Sequence, residues 1–178
     1  MTKNGNGTDD YSVTETTYNW RNDPVKTLTD ETDSAYYYDA VGNALRMYTG
    51  DLTDFTISGL DNVSGGEYEV TKSTYDTQNR LIATIDALNQ TSTNTYDING
   101  NLIKTVDRKG NILNSVYDPM GNLTEKSAQT SADSEKENVY TYTYNRMGLP
   151  LTMTGNGITT SYTYDNLGRL TAESLTNG

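Results

Sequence analysis

Short runs of alternating residues separated by turn signals dominate this chain. Tyr140, Tyr142 and Tyr144 alternate with Thr141 and Thr143, and the pattern returns at Tyr162 and Tyr164 around Thr163. A period of two places successive side chains on opposite faces of a β-strand. No window shows the i, i+3, i+4, i+7 spacing of an amphipathic helix. The pattern therefore predicts an all-β chain whose sheet has a tyrosine-rich face and a threonine-rich face.

The stretch from 96 to 117 shows how one unit is expected to fold. Asp97-Ile98-Asn99-Gly100 places Asp first and Gly last in a turn, which is typical of a type I turn closed by a glycine bulge. Leu102–Val106 then reads as a strand, and Asp107–Asn111 as a second turn before the strand Ile112–Tyr117. One unit is thus two short strands and two turns, which predicts an antiparallel β-hairpin array.

The same tyrosine-led turn recurs along the chain. From Tyr18 to Tyr164 the tyrosines are spaced by 20, 37, 21, 21, 27 and 20 residues, and Asn19 leads the most divergent turn. A fixed short period indicates an array of small units. The structural turn positions are Tyr38, Asp39, Gly42, Tyr75, Asp76, Tyr96, Asp97, Gly100, Tyr117, Asp118, Gly121, Tyr144, Asn145, Gly148, Tyr164, Asp165 and Gly168.

Two long steps predict insertions. Between Tyr38 and Tyr75, Ser64-Gly65-Gly66 lies between the strand-like segments 55–57 and 68–70, which predicts an added hairpin turning at the glycines. Residues 127–138 are polar throughout, which predicts a longer, mobile loop. Residues 1–10 are expected to be disordered, and 11–178 to form a single repeat region.

Composition limits the functions that the array can have. The apolar fraction is 33%, against roughly 45–50% in a typical globular domain on a similar count, so a thick two-layer core is not expected. A net charge of −11 would repel nucleic acid. No apolar run is long enough to span a bilayer, and the first residues do not resemble a signal peptide, so any secretion signal is expected outside this chain. Histidine and cysteine are absent, which excludes Ser-His-Asp and Cys-His catalysis and ligation of a metal by either residue.

The carboxylates are the remaining candidates for chemistry. A pair placed for glycoside hydrolysis is one open alternative, since composition does not exclude it. A catalytic residue is needed once, however, whereas these aspartates repeat at equivalent turn positions, and Asn145 replaces one with a residue that cannot act as an acid or base. The calcium loop spacing of an EF-hand is also missing. We therefore expect turn-forming aspartates, no enzymatic activity, no metal and no cofactor.

The tyrosines support a second hypothesis, carbohydrate or cell-surface binding. Exposed rings on a flat sheet can stack on sugars, and the candidate ligand-binding residues are Tyr140, Tyr142, Tyr144, Tyr162 and Tyr164. Alternatively, the rings pack across strands and hold the sheet together. Equivalent placement in every unit favours packing.

Repeats of the form Tyr-Asp-x-x-Gly-Arg-Leu-Thr resemble the YD repeats of the RHS family, and residues 164–171 match every defined position. The likeness extends from about Tyr18 to Leu175. It implies a β-sheet that spirals into a hollow shell, as in bacterial RHS proteins, insecticidal toxin complexes and animal teneurins. Family shells contain many more repeats, and the segment that ends the shell and leads to an aspartate-dependent self-cleavage site has no counterpart here.

The sequence thus predicts a twisted and curved antiparallel repeat array that serves as a non-catalytic shell segment. The parent would be a large secreted or surface protein that encloses or presents another domain. Expected partners are neighbouring repeats, an enclosed toxin domain or a glycan, with no nucleic acid and no membrane insertion. The open sheet edges predict self-association, unless the sheet curls and buries its own tyrosine face.

Overall fold

The computed structural model describes residues 14–29, 31–132 and 134–177, and within them every regular element is a β-strand. The predicted disorder of residues 1–10 lies outside the described residues. Contacts divide the chain into two units, residues 1–90 and 91–178, which we describe separately.

The first unit contains one antiparallel sheet and one added hairpin. The sheet order is β1-β2-β3-β4-β7-β8, and β5 pairs only with β6. The strands are β1 (Glu15–Tyr18), β2 (Pro24–Leu28), β3 (Asp33–Tyr38), β4 (Ala44–Asp51), β5 (Thr56–Gly59), β6 (Asn62–Ser64), β7 (Glu67–Tyr75) and β8 (Leu81–Ile85).

The second unit is an uninterrupted antiparallel meander in which every strand pairs with its neighbours in sequence. Its strands are β9 (Thr91–Tyr96), β10 (Leu102–Val106), β11 (Ile112–Tyr117), β12 (Leu123–Gln129), β13 (Glu137–Tyr144), β14 (Pro150–Gly155), β15 (Ile158–Tyr164) and β16 (Leu170–Asn177). The all-β antiparallel hairpin array is confirmed, whereas its twist and curvature over the whole chain stay a prediction.

The alternation of tyrosine and threonine separates the two faces of the sheet as expected. In β13 the three tyrosines are half-buried, whereas Thr141 and Thr143 are exposed. Threonines opposite one another on neighbouring strands form hydroxyl pairs, with 2.6 Å between Thr143 Oγ1 and Thr152 Oγ1 and 2.9 Å between Thr154 Oγ1 and Thr159 Oγ1. Such cross-strand pairs are the local interactions that stabilise a sheet.

The added hairpin covers part of the first sheet and creates a small core. Phe55 lies just before β5, and its ring centroid is 5.0 Å from that of Tyr48 and 5.1 Å from that of Tyr68. Leu52 and Ala35 complete the buried cluster, with Leu52 fully buried. A second layer therefore exists locally, although the composition indicated little core. Ion pairing between Arg46 and Asp61, at 3.2 Å, joins the hairpin turn to β4.

The insertion is confirmed, but the predicted position of its turn was wrong. The hairpin turns at Leu60–Asp61, while Gly65 and Gly66 connect β6 back to β7, where the chain re-enters the main sheet. Both glycines have positive φ, +79° and +73°, and a methyl group there would overlap the carbonyl oxygens of Asp54 and Asp51. Glycine is needed here because the departing and returning segments approach closely.

The predicted loop at residues 127–138 is shorter than expected. β12 continues to Gln129 and β13 begins at Glu137, so only the middle of the segment lies outside strands. Ser127 is 1% exposed and pairs with Asn114 on β11. A polar side chain does not prevent strand pairing, because the ladder bonds come from the backbone.

Candidate functional site

The tyrosine–aspartate turns are closed by the aspartate side chain. In the turn that begins at Asp97, Oδ1 accepts the backbone N–H groups of Asn99 at 2.9 Å and Asn101 at 2.8 Å. The Gly100 N–H donates to the Asp97 carbonyl at 3.1 Å, and the Asp97 N–H donates to the Asn101 carbonyl at 2.9 Å. Gly100 has a φ of +94°. This is the predicted type I turn with a glycine bulge, and the strand register shifts beside it.

The same backbone geometry recurs nine times in the described residues. In each turn the first N–H bonds to the fifth carbonyl, and the fourth N–H bonds to the first carbonyl. The first residues of these turns are Asn19, Asp39, Asp76, Asp86, Asp97, Asp107, Asp118, Asn145 and Asp165. At the fourth position Asn22, Asn79 and Asn89 replace glycine with φ between 58° and 67°, as asparagine tolerates this region. The turn function assigned to these aspartates is therefore carried by geometry common to all the turns.

The fifth turn residue has a role that the sequence analysis missed. Asn101 Nδ2 donates to Asp97 Oδ2 at 2.9 Å, and Arg169 Nε donates to Asp165 Oδ2 at 2.7 Å. In the first turn the roles are exchanged, because Asn19 Nδ2 donates to Asp23 Oδ2 at 3.0 Å. The signal was present in the sequence as a recurring Asn or Arg four residues after the aspartate.

These hydrogen bonds lower the pKa of the turn aspartates. For Asp97 the largest cause is the Asn101 side-chain amide, and for Asp165 it is the Arg169 backbone N–H followed by its side chain. At Asp39 desolvation is the largest single effect and acts upward, yet the Asn43 side chain and the turn N–H groups together still lower its pKa. A general acid needs a raised pKa at neutral pH, so these carboxylates have the opposite property.

Each repeat is also joined to the one before it through the turn tyrosine. The hydroxyl of Tyr144 donates to the Leu123 carbonyl at 2.7 Å, and that of Tyr164 to the Pro150 carbonyl at 2.8 Å. Tyr38 makes the equivalent bond to Pro24 at 2.9 Å. In every case the acceptor is the first residue after the preceding turn. Partial burial raises the pKa of Tyr144 and Tyr38, which keeps the hydroxyl protonated as a donor.

The register between repeats is constant. β4 and β7 pair Arg46 with Lys72, which brings Tyr75 opposite Asn43, the fifth residue of the preceding turn. Extending the β14–β15 ladder from Thr152 and Ser161 brings Tyr164 opposite Leu149, again a fifth turn residue. The tyrosine is therefore positioned by the register, and its hydroxyl reaches one residue further along the neighbouring strand.

The candidate ligand-binding tyrosines are only partly brought together. Tyr140 and Tyr142 line a shallow cleft of about 320 Å³ with Leu113 and Met153. The tyrosines at 144, 162 and 164 do not line it, and the hydroxyls of 144 and 164 are committed to backbone carbonyls. All five rings are half-buried. Tyr140 in addition covers Gly155, and its hydroxyl accepts from Asn156 Nδ2 at 2.9 Å.

Comparison with known proteins decides the family. The sequence profile of the teneurin YD-shell family matches residues 54–173, about two thirds of the chain. The chain belongs to the teneurin YD-shell family. The resemblance to YD repeats noted in the sequence is confirmed, and the Tyr-Asp turns described above lie at the positions that define these repeats.

Solved structures share the YD-shell fold of this chain. The crystal structure of TcdB2-TccC3 superimposes with a TM-score of 0.53 at 16% identity, covering 91% of this chain and 10% of that chain. TcdB2-TccC3-Cdc42 gives 0.52 at 16% identity, with the same coverage. TcdB2-TccC3 without its hypervariable C-terminal region gives 0.52 at 17%. The chain thus spans about a tenth of these proteins. No curated protein matches it.

The described part of this YD-shell chain contains no group of acidic residues arranged to hold a metal ion. It also contains no helix of the length and hydropathy that crossing a membrane requires. A cleft of about 710 Å³ lies in the first unit beside the added hairpin and includes Tyr38 and Asp39 in its lining. None of the five candidate ligand-binding tyrosines belongs to it.

Proposed function

We propose that this chain is a non-catalytic segment of the wall of a YD-repeat shell. Its parent is a large secreted or surface-displayed protein in which the wall encloses or presents another domain, such as a toxin or effector. The observation that carries the proposal is the commitment of the turn side chains to the fold. The aspartates close their own turns, and the tyrosine hydroxyls of Tyr38, Tyr144 and Tyr164 bond to the preceding repeat.

The chemistry of the turns supports a structural role over catalysis. Glycoside hydrolysis needs one carboxyl group with a raised pKa opposite a second carboxylate. The turn aspartates at 97, 118 and 165 instead have lowered pKa values, and each bonds within its own turn. Family membership and the shared fold of the TcdB2-TccC3 structures support the same proposal. The half-buried tyrosines give no specific support to the glycan-binding alternative.

Protease protection tests the enclosing role. We expect antibodies against this chain to detect a large secreted or surface particle, in which protease leaves a second domain intact until the YD-repeat wall unfolds. The matched control is the same particle with Asp97→Ala and Asp118→Ala, which should lose protection at lower denaturant concentration. A second domain that is cleaved equally fast with and without an intact wall would contradict the proposal, as would glycan hydrolysis lost on changing a single carboxylate.

A further inference from the structure

The two outermost strands expose the residues that repeat contacts cover elsewhere. Within the described residues, β1 pairs only with β2, and β16 pairs only with β15. Tyr18, which ends β1, is 57% exposed, whereas the other six turn tyrosines are half-buried. At β16 the side chain of Arg169 is 75% exposed, against 26% for the equivalent Arg80. Leu170 is 54% exposed. The exposed residues at the two edges are thus the two halves of one repeat contact.

The edges have complementary direction and register. β1 ends in a tyrosine followed by a turn, as does each strand that pairs with a preceding repeat, and β16 follows a turn, as does each strand that accepts one. Applying the constant register places Tyr18 of one molecule opposite Arg169 of another. Thr16 then lies opposite Thr171, and the Tyr18 hydroxyl reaches the Leu170 carbonyl, as Tyr164 reaches Pro150.

Neither strand has the features that block edge pairing. Natural edge strands are often protected by proline, lysine or a bulge. All eight residues of β16 are exposed, and Glu173 is the only charged residue among them. β1 contains one charged residue, Glu15, and no proline or lysine. Both strands are therefore open to main-chain pairing with another strand.

We propose that β16 of one molecule binds β1 of a second copy of this chain, head to tail, in the repeat register. Because the two surfaces differ, the contact is heterologous and leaves one free β1 and one free β16 on every dimer. Association then continues to longer oligomers or closes into a ring. The proposal does not depend on what the wall encloses.

Disulfide trapping tests the register, and the absence of cysteine from the chain makes it direct. Thr16→Cys protein is mixed with Thr171→Cys protein under mild oxidation, since directly opposite residues in antiparallel strands have Cα atoms at about 4.5–5.5 Å, within disulfide range. We expect a mixed dimer to form. The matched control pairs Thr16→Cys with Thr176→Cys, which lies five residues out of register and should give little product. Equal yields, a dominant dimer of Thr171→Cys with itself, or no cross-link would overturn the proposal.

Charge exchange at the same pair tests association without a covalent bond. Sedimentation velocity of the full chain should show mass that increases with concentration. Thr16→Glu with Thr171→Glu should raise the dissociation constant roughly two- to fivefold, because like charges directly opposite are unfavourable. Thr16→Glu with Thr171→Lys should restore it, while circular dichroism shows that both variants remain folded. A monomer at all concentrations, or identical behaviour of the two variants, would show that β16 does not bind β1 in this way.

Discussion

The contact between Tyr140 and Gly155 offers a sharp test of cross-strand packing. The two residues are opposite each other on β13 and β14, and a methyl group at Gly155 would overlap ring atoms Cδ1 and Cε1 of Tyr140. Gly155 has no positive φ, so its backbone conformation suits any residue. The Gly155→Ala substitution therefore isolates the effect of the ring.

The expected magnitude follows from two opposing effects. Glycine in a strand costs roughly 0.5–1 kcal/mol relative to alanine, so the substitution alone would stabilise the strand by that amount. Forcing a methyl group against a packed ring costs about 1–3 kcal/mol. We expect Gly155→Ala to lower the free energy of unfolding by about 0.5–2 kcal/mol in the wild type. In a Tyr140→Ala background it should instead raise that free energy by roughly 0.5–1 kcal/mol.

A double-mutant cycle measured by urea unfolding and by hydrogen exchange of the β13–β15 amides provides the assay. Hydrogen exchange is needed because repeat arrays do not always unfold in one step. The single tryptophan, Trp20, reports the first unit and should show no change in fluorescence transition. Stabilisation by Gly155→Ala in the wild type, or an equal effect in both backgrounds, would refute the packing argument.

Three further predictions concern the turns and the core. Tyr144→Phe should destabilise by about 0.5–1.5 kcal/mol, because it removes the bond to Leu123; Tyr142→Phe, whose hydroxyl makes no such bond within the described residues, should change stability little, and equal losses in urea unfolding would contradict this. Since the folded pKa of Asp118 is lowered, its stabilisation is complete above its unfolded pKa of about 4 and is lost as pH falls through the lower folded value. Asp118→Asn should therefore reduce the acid dependence of unfolding, and an unchanged pH profile would count against it. Leu52→Ala, at a fully buried site under the added hairpin, should cost about 2–5 kcal/mol by denaturant titration, and a loss under 1 kcal/mol would argue that the hairpin is not packed as described.

Local turn chemistry made most of the fold predictable from sequence. Asp97 and Gly100 each have one low-energy use in a tight turn, so the hairpin followed directly from their spacing. The bond from Tyr144 to Leu123 could not be inferred in this way, because it depends on the register between repeats, which no single unit contains.

The two misplaced features have a common cause. Gly65 and Gly66 resemble a hairpin turn, but they serve a close crossing of two backbone segments that sequence does not display. Ser127 looks like loop because it is polar, yet it lies inside a ladder whose bonds come from the backbone. Sequence punctuation shows where the chain changes course, but not which segments meet there.

Hydrogen exchange on five single variants tests the central claim that the turn aspartates are equivalent folding elements. The variants replace Asp39, Asp76, Asp97, Asp118 and Asp165 with alanine one at a time. We predict that each variant loses protection at its own turn and in the adjoining strands, with the other turns little changed. A variant that keeps full local protection while losing a measurable binding or catalytic activity would contradict the claim.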